Sequence, residues 1–181
     1  MSILATPGSE SKKQETRDAQ KVLRLLAKKL RVLGFERTKP TFFTRSAQHV
    51  IEFVHVHKYT FGPHFRIHFG VRVRSDDSPA AHLNGPDSNG IAAPETPGDR
   101  RYKFSFTTSG ESREDCVEAM FHCVSEEGIC WFASLADPDV LLAQNSPLSP
   151  AAKRALEKEG EDAGHAQVSE ATRRALNVEL N

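Results

Sequence analysis

The chain has 181 residues, 27% charged and 38% hydrophobic, with no net charge at pH 7. That size and balance suit one folded domain; they exclude the charge-rich, apolar-poor composition of disordered chains, and no apolar run approaches the roughly 20 residues that cross a bilayer. The charge is nonetheless segregated, because residues 1–74 hold 15 Lys and Arg against 5 Asp and Glu and the remainder is acidic by the same margin.

The first residues lack the basic-then-apolar pattern of a leader, so a cytoplasmic protein with no membrane partner is expected. Residues 1–12, polar and without period around Pro7 and Gly8, are expected to be flexible. A helix is predicted over 15–33: Ala19, Val22, Leu23, Leu26, Leu30 and Leu33 recur at three- and four-residue steps, leaving Lys21, Lys28, Lys29 and Arg31 on the other side. Gly34 is placed to close it in the left-handed conformation, with Phe35 folding back on the last turn. Three antiparallel strands follow, at 41–45, 50–58 and 64–74. In the third, Phe65, Ile67, Phe69, Val71 and Val73 alternate with His64, Arg66, His68, Gly70, Arg72 and Arg74, which predicts one buried and one wet face.

Residues 75–100 have no period and read as a long loop. Tyr102, Phe104 and Phe106 alternate with polar residues and predict a fourth strand. Ser112, with Asp115 three residues on, has capping-box spacing and predicts the start of a second helix with Val117, Met120, Phe121 and Val124 inward. Ile129, Trp131, Phe132 and Leu135 extend the apolar segment, with Trp131 and Phe132 as core anchors under the second helix. Asp137 before Pro138, and Ser149 before Pro150, read as caps of further helices; the tail predicts helices at about 151–159 and 169–179. Cys116, Cys123 and Cys130 are each about 10 Å of helical rise apart, too far for a disulfide or for two sulfurs on one zinc, and read as buried small hydrophobes in a reducing compartment. The expected organisation is a flexible 1–12, one domain over 13–145 and a helical C-terminal extension at 146–181. The fold class is α+β: an antiparallel sheet of about four strands with two main helices on one face and extra C-terminal helices.

Five of the eight histidines, His49, His55, His57, His64 and His68, fall within twenty residues on neighbouring strands. His55 and His57 share a face with Ile51 and Phe53, whereas Val50, Val54 and Val56 share the other with Glu52 and Lys58. The pattern leaves open which set is buried. If the valines are, four histidines join Tyr59, Arg66 and Arg72 on one wet face; if not, the two histidine pairs point apart. Arginines beside the histidines oppose a cation and Glu52 is the one carboxylate in these strands, so no metal and no cofactor is expected. The candidate binding residues are therefore His57, Tyr59, His64, Arg66, His68 and Arg72.

No phosphate-cradling glycine loop, nucleophile elbow, HExxH or paired-cysteine spacing is present. Glu52 with His57 and Tyr59 would make an acid–base set only if they faced one another, and on a regular strand Glu52 points away from His57. An enzyme is not the expectation.

Leu33, Gly34 and Phe35 close the first helix; the strand at 39–45 with Phe42 and Phe43 and the apolar run 50–56 follow; then come His-Lys-Tyr-Thr-Phe-Gly at 57–62, Ile-His-Phe-Gly-Val at 67–71, and Trp131 with Phe132. This order of features resembles a bacterial family known as domain of unknown function 4304. The likeness covers 20–74 well and 101–145 more loosely. His57 and Tyr59 stand where the family usually has a glutamine and a serine, and the loop at 75–100 is longer. The resemblance implies an α+β architecture and carries no catalytic residue. The sequence thus reads as a non-enzymatic protein-binding module, immunity- or antitoxin-like, with an acidic or charge-asymmetric protein as partner. The alternative is phosphate or nucleic-acid binding on a basic sheet face.

Overall fold

Ser9 starts the first helix, its hydroxyl accepting from the Lys12 amide at 3.3 Å, so that α1 spans Glu10–Leu30 and part of the polar start expected to be flexible is helical. The computed structural model describes residues 9–91, 104–107, 110–161 and 167–178. Ala19, Val22, Leu23, Leu26 and Leu30 of α1 are buried, as their spacing predicts. After a tight turn at Arg31–Leu33, Gly34 takes φ 81°, and the Phe35 amide donates back to Leu30 O at 3.1 Å.

Four strands form one antiparallel sheet in chain order: β1 (Glu36–Lys39), β2 (Phe42–Ser46), β3 (Val50–Lys58) and β4 (Phe65–Val73). The last three match the sequence reading closely. β1 was not foreseen, because Glu36, Arg37, Thr38 and Lys39 have no apolar alternation and become a strand only by pairing with β2. The expected strand around Phe104 is, among the described residues, a single bridge of Ser105 to His64. Its backbone bonds run from the Phe65 amide to Phe104 O at 2.8 Å and from the Phe106 amide to Pro63 O at 3.0 Å. Tyr102 lies outside the described residues.

Both faces of the sheet are covered over much of their length, which corrects the expectation of one buried and one wet face. On the first face Val54, Val56, Ile67, Phe69 and Val71 join the core with Leu23, Leu26, Met120 and Phe132. On the second, Ile51 and Phe53 make a smaller core with Leu176. The ambiguity of β3 dissolves because its valine and isoleucine–phenylalanine sets are both buried. Part of the expected long loop closes the free edge of β4. Asn84 bonds both polar backbone groups of Val71, at 3.0 and 2.9 Å, Gly85 and Pro86 bond those of Phe69, and Ser88 Oγ accepts from the Ile67 amide at 3.2 Å. Unpaired edge groups are thereby satisfied within the chain. A short helix α2 (Ser88–Ile91) follows, and residues 92–100 lie outside the described set.

α3 spans Gly110–Cys123, starting two residues before the expected cap; Ser112 sits inside its first turn and accepts from the Thr107 amide at 2.9 Å. A widened turn at Val124–Gly128 leads into α4 (Ile129–Ser134). Cys116 and Cys123 are buried, and burial pushes the Cys116 thiol up to about 12, but Cys130 is exposed, contrary to expectation. The two predicted caps hold: Asp137 opens α5 (Pro138–Leu142), and Ser149 opens α6 (Pro150–Glu161), accepting from the Ala152 amide at 3.1 Å. Ser169 caps α7 (Glu170–Leu176). The expected C-terminal extension packs into the body of the fold, with Leu148, Ala152 and Leu156 in the main core and Leu176 in the second. No helix among the described residues is long and apolar enough to cross a membrane.

Gly70 faces the fully buried Phe53 ring so closely that an added Cβ would lie 2.2 Å from it. Gly70→Ala is expected to lower stability by about 1–3 kcal/mol, read as a shifted urea midpoint; an unchanged midpoint contradicts the second core.

Candidate functional site

The register of β3 and β4 sets His55 opposite His68 and His57 opposite Arg66, so these four side chains share the second face. Phe42 of β2 lies 4.5 Å from the His55 ring centre, His68 lies 5.9 Å and His57 6.4 Å from it, and Tyr59 meets His57 edge-on at 5.7 Å. The edge segment supplies the outer wall. Asp87 pairs with the Arg66 guanidinium and holds its pKa above the usual arginine value, and Asn89 Nδ2 donates to the Tyr59 hydroxyl at 3.2 Å. His55 Nδ1 and Arg66 Nε are buried without a hydrogen-bond partner.

Burial, with His68 and His57 adding repulsion, pushes His55 down to about 4. Burial and the Arg66 charge also lower His68. Both imidazoles are therefore neutral at pH 7. Among the described residues, no group of three or more His, Cys, Asp or Glu converges to hold a metal ion.

Of the predicted site residues, His57, Tyr59, Arg66 and His68 are brought together, and His55 joins them. His64 sits exposed beyond the turn, its ring against Gly62. Arg72 is the correction. Placed on a wet face by the sequence, it is 3% exposed. Its guanidinium donates to Thr172 Oγ1 at 2.6 Å, Ala80 O at 2.7 Å, Asp76 O at 2.9 Å and Ser78 O at 2.6 Å. It fastens α7 and residues 76–80 to the sheet and is not available to a ligand. Glu52 lies on the opposite face, where Arg45 Nε donates to it at 2.6 Å and the same guanidinium covers the Phe35 ring at 4.8 Å, so the imagined set with His57 does not form.

The accessible positive charge is elsewhere. Lys13, Arg17, Lys21, Arg24 and Lys28 of α1 and Arg31 of the turn that continues it follow one another at three- and four-residue steps and are all exposed, which lays them along one outer face. Lys13 and Arg17 pair with Glu10, and Lys21 lies 3.6 Å from Asp18; among the described residues Arg24, Lys28 and Arg31 have no ion pair. Between α1 and α3 is a cleft of about 320 Å³ reached by Lys21, Arg24, Lys28 and Arg113. The sequence reading passed over Arg24, Asp18 and Arg113. The spacing of cations on α1 was the available signal for the first, but nothing local marks Asp18 or Arg113.

Comparison with protein-family models, curated proteins and solved structures finds no match to this chain.

Two measurements test the sheet face. Replacing Arg72 by Ala strips donors from the Asp76, Ser78 and Ala80 carbonyls and from Thr172 Oγ1 and is expected to cost about 3–5 kcal/mol in urea unfolding; a loss below about 1 kcal/mol would remove its fastening role. His55, neutral when folded down to about 4 against 6.5 for the free side chain, makes the unfolded state bind more protons between those values. Stability is thus expected to fall as pH drops from about 6.5 to about 4 and to lose part of that slope in His55→Phe. An NMR titration placing His55 near 6.5 would contradict this.

Proposed function

We propose that this protein is a non-enzymatic protein-binding module, of the immunity or antitoxin kind, that recognises an acidic protein through the outer face of α1. Arg24, Lys28 and Arg31 carry the reading, because they are exposed cations without ion pairs among the described residues. Leu25 and Val32, 36% and 76% exposed, lie beside them at helical spacing, so the strip offers apolar contact along with charge. That mixture suits a protein surface with an apolar centre and an acidic rim better than a nucleic-acid backbone. Segregated charge would also steer and speed the encounter. The resemblance to domain of unknown function 4304, and the bacterial, cytoplasmic setting that goes with it, belong to the same proposal and rest on the motif order from Leu33 to Phe132. The sheet face is the weaker platform for phosphate or nucleic acid, since Arg66 is closed onto Asp87 and Arg72 is sealed.

Capture of the tagged chain from its host lysate tests this. The expected result is a stoichiometric acidic protein that persists at physiological salt and is lost, with affinity reduced about tenfold or more, when Arg24, Lys28 and Arg31 are changed to Glu. No stoichiometric partner at either low or physiological salt, or one held equally by the triple variant, would overturn it.

A further inference from the structure

Beyond the partner reading, the geometry points to a binding site for a phosphoryl dianion in the cleft between α1 and α3. Lys21, Arg24 and Lys28 reach it from α1 and Arg113 from α3, with Glu114 on its rim and Leu25 as an apolar wall. The site is built from behind by Asp18, which is fully buried. Its Oδ1 accepts from Arg113 Nη1 at 3.0 Å and lies 3.6 Å from Lys21 Nζ, while Oδ2 accepts from Gln14 Nε2 at 2.9 Å. One buried carboxylate thus positions two of the four cations.

Arg24 and Lys28, exposed and without an ion pair among the described residues, offer the cleft two positive charges, which a dianion neutralises and a carboxylate ligand does not. Cations entering from two helices suit a tetrahedral group with several oxygens, and guanidinium groups pair with such oxygens two at a time. At about 320 Å³ the cleft lies at the lower end of small-molecule sites, and Leu25 gives the organic part of a small phosphate ester a surface to meet.

The test is calorimetric and NMR titration of the full chain at low salt with inorganic phosphate and, separately, with O-phosphoserine. Saturable binding of either, with shifts at Leu25 and Glu114, is expected, and the ratio of the two affinities tells a free ion from an ester. Arg24→Gln and Lys28→Gln, at exposed positions that leave folding intact, are each expected to weaken binding about tenfold. Arg17→Gln, on the same helix but outside the cleft, is expected to leave it unchanged. Absence of saturable phosphate binding, equal binding of acetate, or an Arg17→Gln loss as large as that of Arg24→Gln would overturn the site. Such a failure leaves the partner reading standing, because the capture experiment is read without phosphate.

Discussion

A guanidinium enclosed against the sheet governs how the second face of this protein is closed. Arg72 can be buried only because the carbonyls of Asp76, Ser78 and Ala80 and the hydroxyl of Thr172 surround it, since a cation without such partners would remain in water. Meeting that demand draws residues 76–80 across the end of β4 and seats α7 on the sheet. Leu176 then arrives over Ile51 and Phe53, and the chain leaving Ala80 is directed back along β4, where Asn84 and Ser88 satisfy the edge. The second core, the covered edge and the position of Asp87 beside Arg66 all follow from that arrangement.

The histidine surface is what remains of the second face once α7 has taken its half. Phe42 and the neighbouring imidazoles keep His55 and His68 partly out of water and uncharged, and Arg66 is neutralised by Asp87. Charge is thus withdrawn from the sheet. It is displayed on α1, whose inner side is apolar and whose outer side is a row of cations, with Asp18 the buried exception that turns Arg113 of α3 toward the same cleft. The basic half of the chain therefore displays its charge on a helix, and the acidic helix beside it offsets that helix at Lys29, where Glu118 forms an ion pair.

Much of the architecture was legible because it rests on period. The α1 stripe, the apolar face of β4, the Gly34 stop and the caps at Asp137 and Ser149 are local signals, and each appears where the residues put it. β1 was illegible because an edge strand of Glu, Arg, Thr and Lys is made by its neighbour. The start of α3 was misplaced because Ser112 bonds Thr107, a contact that spacing within the helix does not announce. At the candidate site, alternation put Arg66 and His68 on one face and left open whether His57 joined them, which the pairing of β3 with β4 decides; by the same rule it placed Arg72 in water.

Residue order alone determined the main helices, the central strands and the uneven distribution of charge along the chain, because those are written in local period and composition. Only the tertiary structure decided which charges are free. Whether an arginine is sealed, paired or open depends on segments about a hundred residues away, as Thr172 is from Arg72 and Arg113 from Asp18. Alternation records which side of a strand a side chain leaves from, and it carries no record of what is packed on top.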